Sequence, residues 1–238
     1  MKGKSNQKEI ILAVGAHPDD IDFGASGTIA KWVKKGATAY YLILTDGSKG
    51  SDDPKMTPQK LARIRKKEQE EAAKILGVKK VFFLNQKDTE LIADIKLKEK
   101  ITKMIRKLKP TRVITLNPII IFSQERSFIN HTDHRAAGLA TIDSVYPLAR
   151  DRLTFPQHER QGLKPHKVKE IYLSSFGQGN FVSNITGTIN QKIAALKAHK
   201  SQVSPETIKR IKKWSISRQS KKSNPHYVET FVKLDIWS

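Results

Sequence analysis

The 238-residue chain contains no cysteine. Disulfides and thiolate ligands are thereby excluded, so a metal ion bound here must be held by His, Asp and Glu. No apolar run approaches the ~18–20 residues needed to span a bilayer. Met1 to Lys8 is polar and lacks the apolar centre of a secretory signal. These absences point to a cytoplasmic protein. No internal repeat or low-complexity linker divides the chain. The expectation is one domain over 1–238, with a core over about 9–148 and an elaborated C-terminal third over about 149–238. Acidic residues are scarce: 23 Asp and Glu face 44 Lys and Arg, a net charge of +21. That excess suits a nucleic acid, an anionic lipid or an anionic substrate, and equally a Lys-rich composition with no specific partner.

Strand and helix patterns alternate through the first two thirds. Residues 9–16 form a continuous apolar run suited to a strand buried on both faces. A helix is expected from Gly24 through Lys35, closed by Gly36, and Ala37 to Leu44 reads as a second strand. Thr57-Pro58 is an N-cap followed by proline at the first helical position, opening a helix to Leu76 with Gly77 behind it. Val81 to Leu84 is a third strand. An amphipathic helix over Asp94–Leu108 faces Ile95, Ile101, Met104, Ile105 and Leu108 inward, and Arg112 to Leu116 is a fourth strand. A helix is expected from near His134 to before Pro147. Arg150 to His166 reads as a surface excursion. Glu170 to Ser174 (strand), Ile185 to His199 (helix), Pro205 to Trp214 (helix) and Tyr227 to Leu234 (strand) follow. This order predicts an α/β fold: a Rossmann-like doubly wound, mostly parallel sheet with helices on both faces.

Two short motifs carry the chemistry. His17-Pro18-Asp19-Asp20 follows the first strand, and His131-Thr132-Asp133-His134 lies in the loop after the fourth. In open α/β sheets, ligands bind beyond the carboxyl ends of strands where the winding reverses. Strands one and four are often neighbours at that point. Hydrolytic zinc sites take three ligands from His and carboxylate and keep one position open. His17 and Asp20 can converge on one ion, with His134 the third ligand. Asp19 is then left uncoordinated, close enough to act as a general base. His131 can donate to a developing oxyanion or a leaving amine, and Asp133 can orient an imidazole behind the ligands. Alone, His-x-x-Asp after a strand is more often a turn or a helix cap. Each motif follows a strand and carries a spare carboxylate, and the pair together shifts the reading to a site.

Ala16-His17-Pro18-Asp19-Asp20 resembles the AHPDD signature of the PIG-L/LmbE-like deacetylases. The similarity continues through Gly24–Thr28, Thr45-Asp46-Gly47 and Arg65-x-x-Glu68 to Ile75-Leu76-Gly77-Val78. It also takes in His131-x-Asp133-His134-Arg135, Lys192-x-x-Ala195-Leu196-x-Ala198-His199-x-Ser201-Gln202 and Tyr227-Val228-Glu229-x-Phe231. Nearly the whole chain is covered, in order. The resemblance implies a zinc amidohydrolase that removes an N-acetyl group from a glucosamine-type sugar, cleaving a linear amide C–N bond. His17, Asp20 and His134 are then ligands to Zn2+, Asp19 the base and His131 the oxyanion-stabilising or acid group. Fe2+ or another divalent ion fits the same donors. Arg65 matches an arginine associated with sugar binding, its alternative being an exposed helical residue. Candidate substrates are N-acetylglucosamine, its short oligomers, glucosaminyl-malate or inositol conjugates, and N-acetylated antibiotic intermediates. Homo-oligomerisation is left open. Two departures, Ile21-Asp22 where relatives often have Glu, and Asn184 where they often have Asp, bear on substrate and not on the first ligands.

Three other readings remain. Two His and one carboxylate also describe non-haem iron oxygenases, which leaves Asp19 and His131 without a part. A basic nucleic-acid or anionic-glycan binding protein would use the eight basic residues of 94–112 or the ten of 192–222, with Trp214 as a stacking group. No nucleic-acid reading motif accompanies them, and Ile208, Ile211 and Trp214 read as a buried side. A catalytically degenerate family member is the third, against which the intact set of five His and Asp residues stands.

Overall fold

The computed structural model describes residues 9–124, 127–175, 177, 179–217, 219–220 and 225–236. The polar Met1–Lys8 segment and the end of the 192–222 basic run lie outside the described residues. In chain order the strands are β1 (Ile10–Gly15), β2 (Thr38–Thr45), β3 (Lys80–Gln86), β4 (Arg112–Leu116), β5 (Phe122–Ser123), β6 (Phe128–Ile129), β7 (Glu170–Ser174), β8 (Phe181–Asn184) and β9 (Val228–Asp235). Seven of them make one sheet in the order β3-β2-β1-β4-β7-β9-β8, and β5 pairs with β6 apart from it. The first five strands of that order run parallel. β9 runs antiparallel to both β7 and β8, which extends the same sheet into the C-terminal third. The winding leaves β1 toward β2 and β3, then returns to β4 on the other side. β1 and β4 are therefore neighbours at the reversal, as the motif placement requires.

The alternation of side chains along each strand divides the core into two layers. Leu12, Val14, Leu42, Val113 and Leu173 pack under α4 (Ile95–Leu108) and α5 (Thr132–Asp143). Ile11, Ala13, Tyr41, Ile43, Ile114 and Tyr172 pack on the opposite face against α1 (Asp20–Gly24), α2 (Ser26–Lys34), α3 (Pro58–Leu76) and α7 (Ile189–Ala198). Burial on both faces explains why β1 reads as a continuous apolar run. Local chemistry sets the helix ends. The Thr57 hydroxyl accepts from the Lys60 N–H at 3.2 Å, and Gly77 leaves α3 at φ +74°. The Asp94 carboxylate accepts from the Leu97 N–H at 2.8 Å.

Several expectations need correction. The helix over Ser26–Lys34 is preceded by α1, a single turn opened by a left-handed residue that periodicity does not reveal. α5 begins at Thr132, close to the expected start near His134, and the second motif is therefore the helix start and not a loop. α5 ends at Asp143, before Pro147 as expected, and the Ser144–Leu148 segment that follows is kinked at Tyr146. The excursion at 150–166 contains α6 (Pro156–Arg160) and a buried His158. Ile95 is exposed because, at the first position of α4, it points away from the face that buries Leu97, Ile101 and Ile105; two residues are about half a helical turn. Trp214, the last residue of α8 (Pro205–Trp214), is half exposed; Ile211 is the buried residue of that helix, and the Trp214 ring carries the Arg210 guanidinium at 5.1 Å.

Candidate metal centre

The carboxyl end of β1 is tied to β2 by Thr45, whose N–H and hydroxyl both donate to the Ala16 carbonyl at 2.8 Å. The chain then turns sharply, placing His17 over the edge of the sheet. After β4 it returns through β5 and β6 to His131, the N-cap of α5. Two segments more than a hundred residues apart thus meet. The rings of His17 and His131 lie 4.7 Å apart between centroids, and His134 lies 5.3 Å from each.

Asp20 links the histidines. Its Oδ2 accepts the His17 backbone N–H at 2.7 Å and lies 3.6 Å from His17 Nδ1, while its Oδ1 is 3.0 Å from His134 Nε2. The far side of each imidazole is also engaged. His17 Nε2 faces Asp88 Oδ1 at 3.0 Å and Asp133 Oδ2 at 3.2 Å. His134 Nδ1 faces Asn130 Oδ1 at 3.1 Å, an amide oriented by its Nδ2, which donates to the Ile120 carbonyl at 2.8 Å. Carboxylate and amide oxygens accept, so His17 carries its proton on Nε2 and His134 on Nδ1. The other ring nitrogens, His17 Nδ1 and His134 Nε2, both face the Asp20 carboxylate, and once deprotonated they offer their lone pairs to a cation there. This is the arrangement in which outer partners fix the tautomers of metal-binding imidazoles.

The electrostatics agree. Burial disfavours charge on His17, yet Asp133, Asp20 and Asp88 raise its pKa to about 12. Burial likewise opposes charge on His134, and Asp20 outweighs it, raising that pKa. Against its own burial, Asp20 is held well below the usual carboxylate range by His134 and His17. The cluster thus demands positive charge at its centre, and a cation supplies what the imidazoles otherwise hold as protons. Ligand atoms of His17, His131 and His134 fall within 4.8 Å of one another, as do those of His17, Asp88 and Asp133. The tautomers favour Asp20 over His131 in the first triad. His131 Nδ1 already accepts the Asp133 N–H at 3.1 Å, which leaves Nε2–H as a donor at the rim. The second triad engages the protonated side of His17, where Asp88 and Asp133 act as acceptors.

Asp19 stands apart from this cluster. It is buried at φ +106°; its N–H donates to Gln69 Oε1 at 2.9 Å, and its Oδ2 is 3.3 Å from Arg65 Nη2. Burial pushes its pKa up to about 6, with Asp20 adding to the rise and Arg65 opposing it. His131 is kept neutral by burial and by its neighbours His17 and His134. Asp133 faces an imidazole, that of His17, while also accepting the Thr89 N–H at 2.7 Å and the Leu91 N–H at 3.3 Å. Arg65 is buried, not an exposed helical residue. Its guanidinium donates to the carbonyls of Gly47 at 2.9 Å and Pro18 at 2.7 Å. Sequence reasoning missed Asp88, Gln69 and Asn130. For Asp88 the signal was available: it follows β3 at the same carboxyl edge that holds the two motifs.

Residues 12–145 match the model of the family described as PIG-L, GlcNAc-PI de-N-acetylase. The chain belongs to the PIG-L family. It is accordingly an amidohydrolase by class. It is 32% identical over 207 residues to the diacetylchitobiose deacetylase of Thermococcus kodakarensis, covering 85% of this chain and 73% of that one. It is 29% identical over 197 residues to a probable N-acetyl-alpha-D-glucosaminyl L-malate deacetylase 2 of Bacillus cereus, covering 81% and 83%. Among solved PIG-L-like structures, N,N'-diacetylchitobiose deacetylase from Pyrococcus horikoshii superposes with a TM-score of 0.85 at 29% identity, covering 96% of this chain and 85% of the other.

Proposed function

We propose that this chain is a Zn2+-dependent N-deacetylase that hydrolyses the acetamide of a glucosamine-type sugar or sugar conjugate. The observation that carries the reading is the convergence of His17 Nδ1, the Asp20 carboxylate and His134 Nε2, with Asp19 and His131 beside them and engaged elsewhere. The likeness to a diacetylchitobiose deacetylase and a probable glucosaminyl-malate deacetylase supports the substrate class. His17, Asp20 and His134 would hold the ion, with Asp88, Asp133 and Asn130 fixing the two imidazoles. Bound there, a divalent cation supplies Lewis acidity toward the amide carbonyl and lowers the pKa of water.

The chain's own groups do the proton work. Asp19, with a pKa of about 6, is ionised near neutrality and basic enough to take a proton from the attacking water. It then returns that proton to the departing nitrogen. His131 Nε2–H donates a hydrogen bond to the carbonyl oxygen as negative charge builds on it. Water and acetamide are consumed, and acetate and free amine are released. Arg65 directs Nη1 to Gly47 and Nη2 to Pro18 and Asp19, which supports a structural part behind Asp19 over direct contact with the sugar. The high positive charge favours substrates carrying an anionic group. Among the described residues no helix is long and apolar enough to cross a membrane.

The test is acetate release across acetamido sugars with zinc-loaded protein. Asp19→Asn is expected to bind metal as the parent does and to lose on the order of 10²–10⁴ in kcat. Undiminished turnover by that variant would remove Asp19 from the base role.

A further inference from the structure

Asp19 is held at φ +106°, ψ −30°, a conformation that residues with a Cβ avoid because it crowds the backbone. Its surroundings must therefore impose it. Both polar groups of the peptide unit joining Pro18 to Asp19 are gripped from α3. Arg65 Nη2 donates to the Pro18 carbonyl at 2.7 Å, and Gln69 Oε1 accepts the Asp19 N–H at 2.9 Å. Residues four apart share one helix face, so the two side chains bracket a single peptide plane. On the other side of Asp19, its own carbonyl accepts the N–H groups of Asp22 at 2.8 Å and Phe23 at 3.0 Å.

Gln69 is itself locked. It is fully buried, and its Nε2 donates to Asp22 Oδ2 at 2.8 Å. Asp22, also fully buried, accepts further from His199 Nε2 at 2.8 Å and the Tyr41 hydroxyl at 3.2 Å. A carboxylate only accepts, so the amide cannot turn over: its nitrogen must face Asp22 and its oxygen Asp19. The orientation of Gln69 is thus set partly by His199, which follows α7 in the C-terminal third.

We propose that Gln69, oriented by Asp22 and His199, is a positioning residue that holds the left-handed turn at Asp19 and thereby aims its carboxylate at the attacking water. The proposal rests on Asp19 being the proton acceptor. Two consecutive carboxylates have separate tasks here, Asp20 toward the imidazoles and Asp19 away from them. The swing of the chain at residue 19 is what parts them. Gln69 touches neither ligand nor substrate, so its effect must pass through Asp19.

That dependence gives the test. In zinc-loaded full-length protein assayed by acetate release from N-acetylglucosamine and N,N'-diacetylchitobiose, Gln69→Leu should lose on the order of 10²-fold in kcat. KM and the metal content measured by elemental analysis should stay at parent values. In the Asp19→Asn background the same substitution should cost nothing further. Equal losses in both backgrounds, or an unchanged kcat, would overturn the proposal. A crystal structure of metal-free Gln69→Leu adds a readout independent of turnover. It should show Asp19 released from φ near +106° with His17, Asp20 and His134 in place, and an unmoved Asp19 would equally overturn the idea. Absence of acetate release by the parent protein from every acetamido sugar would count against the deacetylase reading, and the structural arm would still decide the part played by Gln69. Gln69→Met, closer in shape, serves if the leucine variant does not fold. If neither folds, His199→Leu frees the same amide at one remove and must give the same loss confined to kcat.

Discussion

Replacing Lys192 by Met should lower the melting temperature of the chain by about 6–20 °C. The Lys192 side chain is 1% exposed, and its ammonium donates to Glu229 Oε1 at 2.6 Å and to the carbonyls of Phe23 at 2.6 Å and Asp22 at 3.2 Å. All three donors are used. Glu229 in turn accepts the Gly27 N–H at 3.0 Å and the Thr28 N–H at 2.8 Å, in the first turn of α2 where backbone donors lack helical partners. Methionine matches the length of lysine and fills the space, so little of the loss comes from a cavity. It leaves a buried carboxylate without its countercharge and removes a donor from the Phe23 carbonyl, whereas the Asp22 carbonyl keeps the Ser26 hydroxyl at 2.7 Å. Breaking a buried pair by removing one partner costs about 3–5 kcal/mol. In a chain of this length each kcal/mol moves the midpoint by roughly 2–4 °C, which gives the range stated. Thermal and urea denaturation of metal-free protein at pH 7 should be run on Lys192→Met, Glu229→Gln and the double variant. The double should lose less than the sum of the singles, because the unpaired charge is gone. A melting temperature within 2 °C of the parent ( equates that shift to less than about 1 kcal/mol) would refute the account of the pair. Strict additivity would show that the α2 N-terminus alone holds Glu229.

Asp88→Asn should weaken metal binding by about 10–100-fold, because Asp88 Oδ1 accepts from His17 Nε2 and its Oδ2 anchors the Lys49 N–H at 2.9 Å; competition with a chelator would measure it, and parental affinity would refute the orienting role. Gly138→Ala should destabilise by about 1–3 kcal/mol and loosen the metal. A Cβ there would press into the Leu116 carbonyl oxygen and Pro118, displacing the helix that carries His134. A parental urea midpoint would refute that. Burial, then Arg106, lowers the pKa of His158, so the native state binds fewer protons there than the unfolded one. Its contribution is complete above the unfolded pKa near 6.5 and is lost as pH falls below it. The urea midpoint should therefore drop less between pH 7 and pH 5 in His158→Gln than in the parent, and an equal drop would exclude His158 as an acid-sensitive group.

What the sequence reveals follows from how far each signal reaches along the chain. β4 and β7 occupy the spans expected for them, Arg112–Leu116 and Glu170–Ser174, because burial on both faces concentrates apolar residues in each (Val113, Ile114 and Leu116; Ile171, Tyr172 and Leu173). α3 is legible at both ends from Thr57, Pro58 and Gly77. β5 and β6 have two residues each, and α1 hangs on one left-handed aspartate, so no periodicity can mark them. His17, Asp19, Asp20, His131, Asp133 and His134 of the candidate site sit in two compact motifs and are legible. Asp88 and Gln69 reach His17 and Asp19 across 71 and 50 residues and belong to no motif.

Yet two helices do carry a readable sign of the buried polar network. The hidden face of α3 runs Leu61, Arg65, Gln69, Ala72, Leu76, and its apolar stripe is interrupted at two successive turns. α7 repeats the pattern with Ile189, Lys192, Ala195 and Leu196, and His199 follows one turn on. A polar residue at a position whose neighbours are all buried must be buried with them, and a buried polar group must find a partner. α3 and α7 pack against each other, and each directs polar side chains toward the turn between His17 and Phe23. The interrupted stripes thus mark, in sequence alone, the two helix faces that hold the turn at Asp19 from behind. They also give the C-terminal third a task that its distance from His17 in the chain conceals.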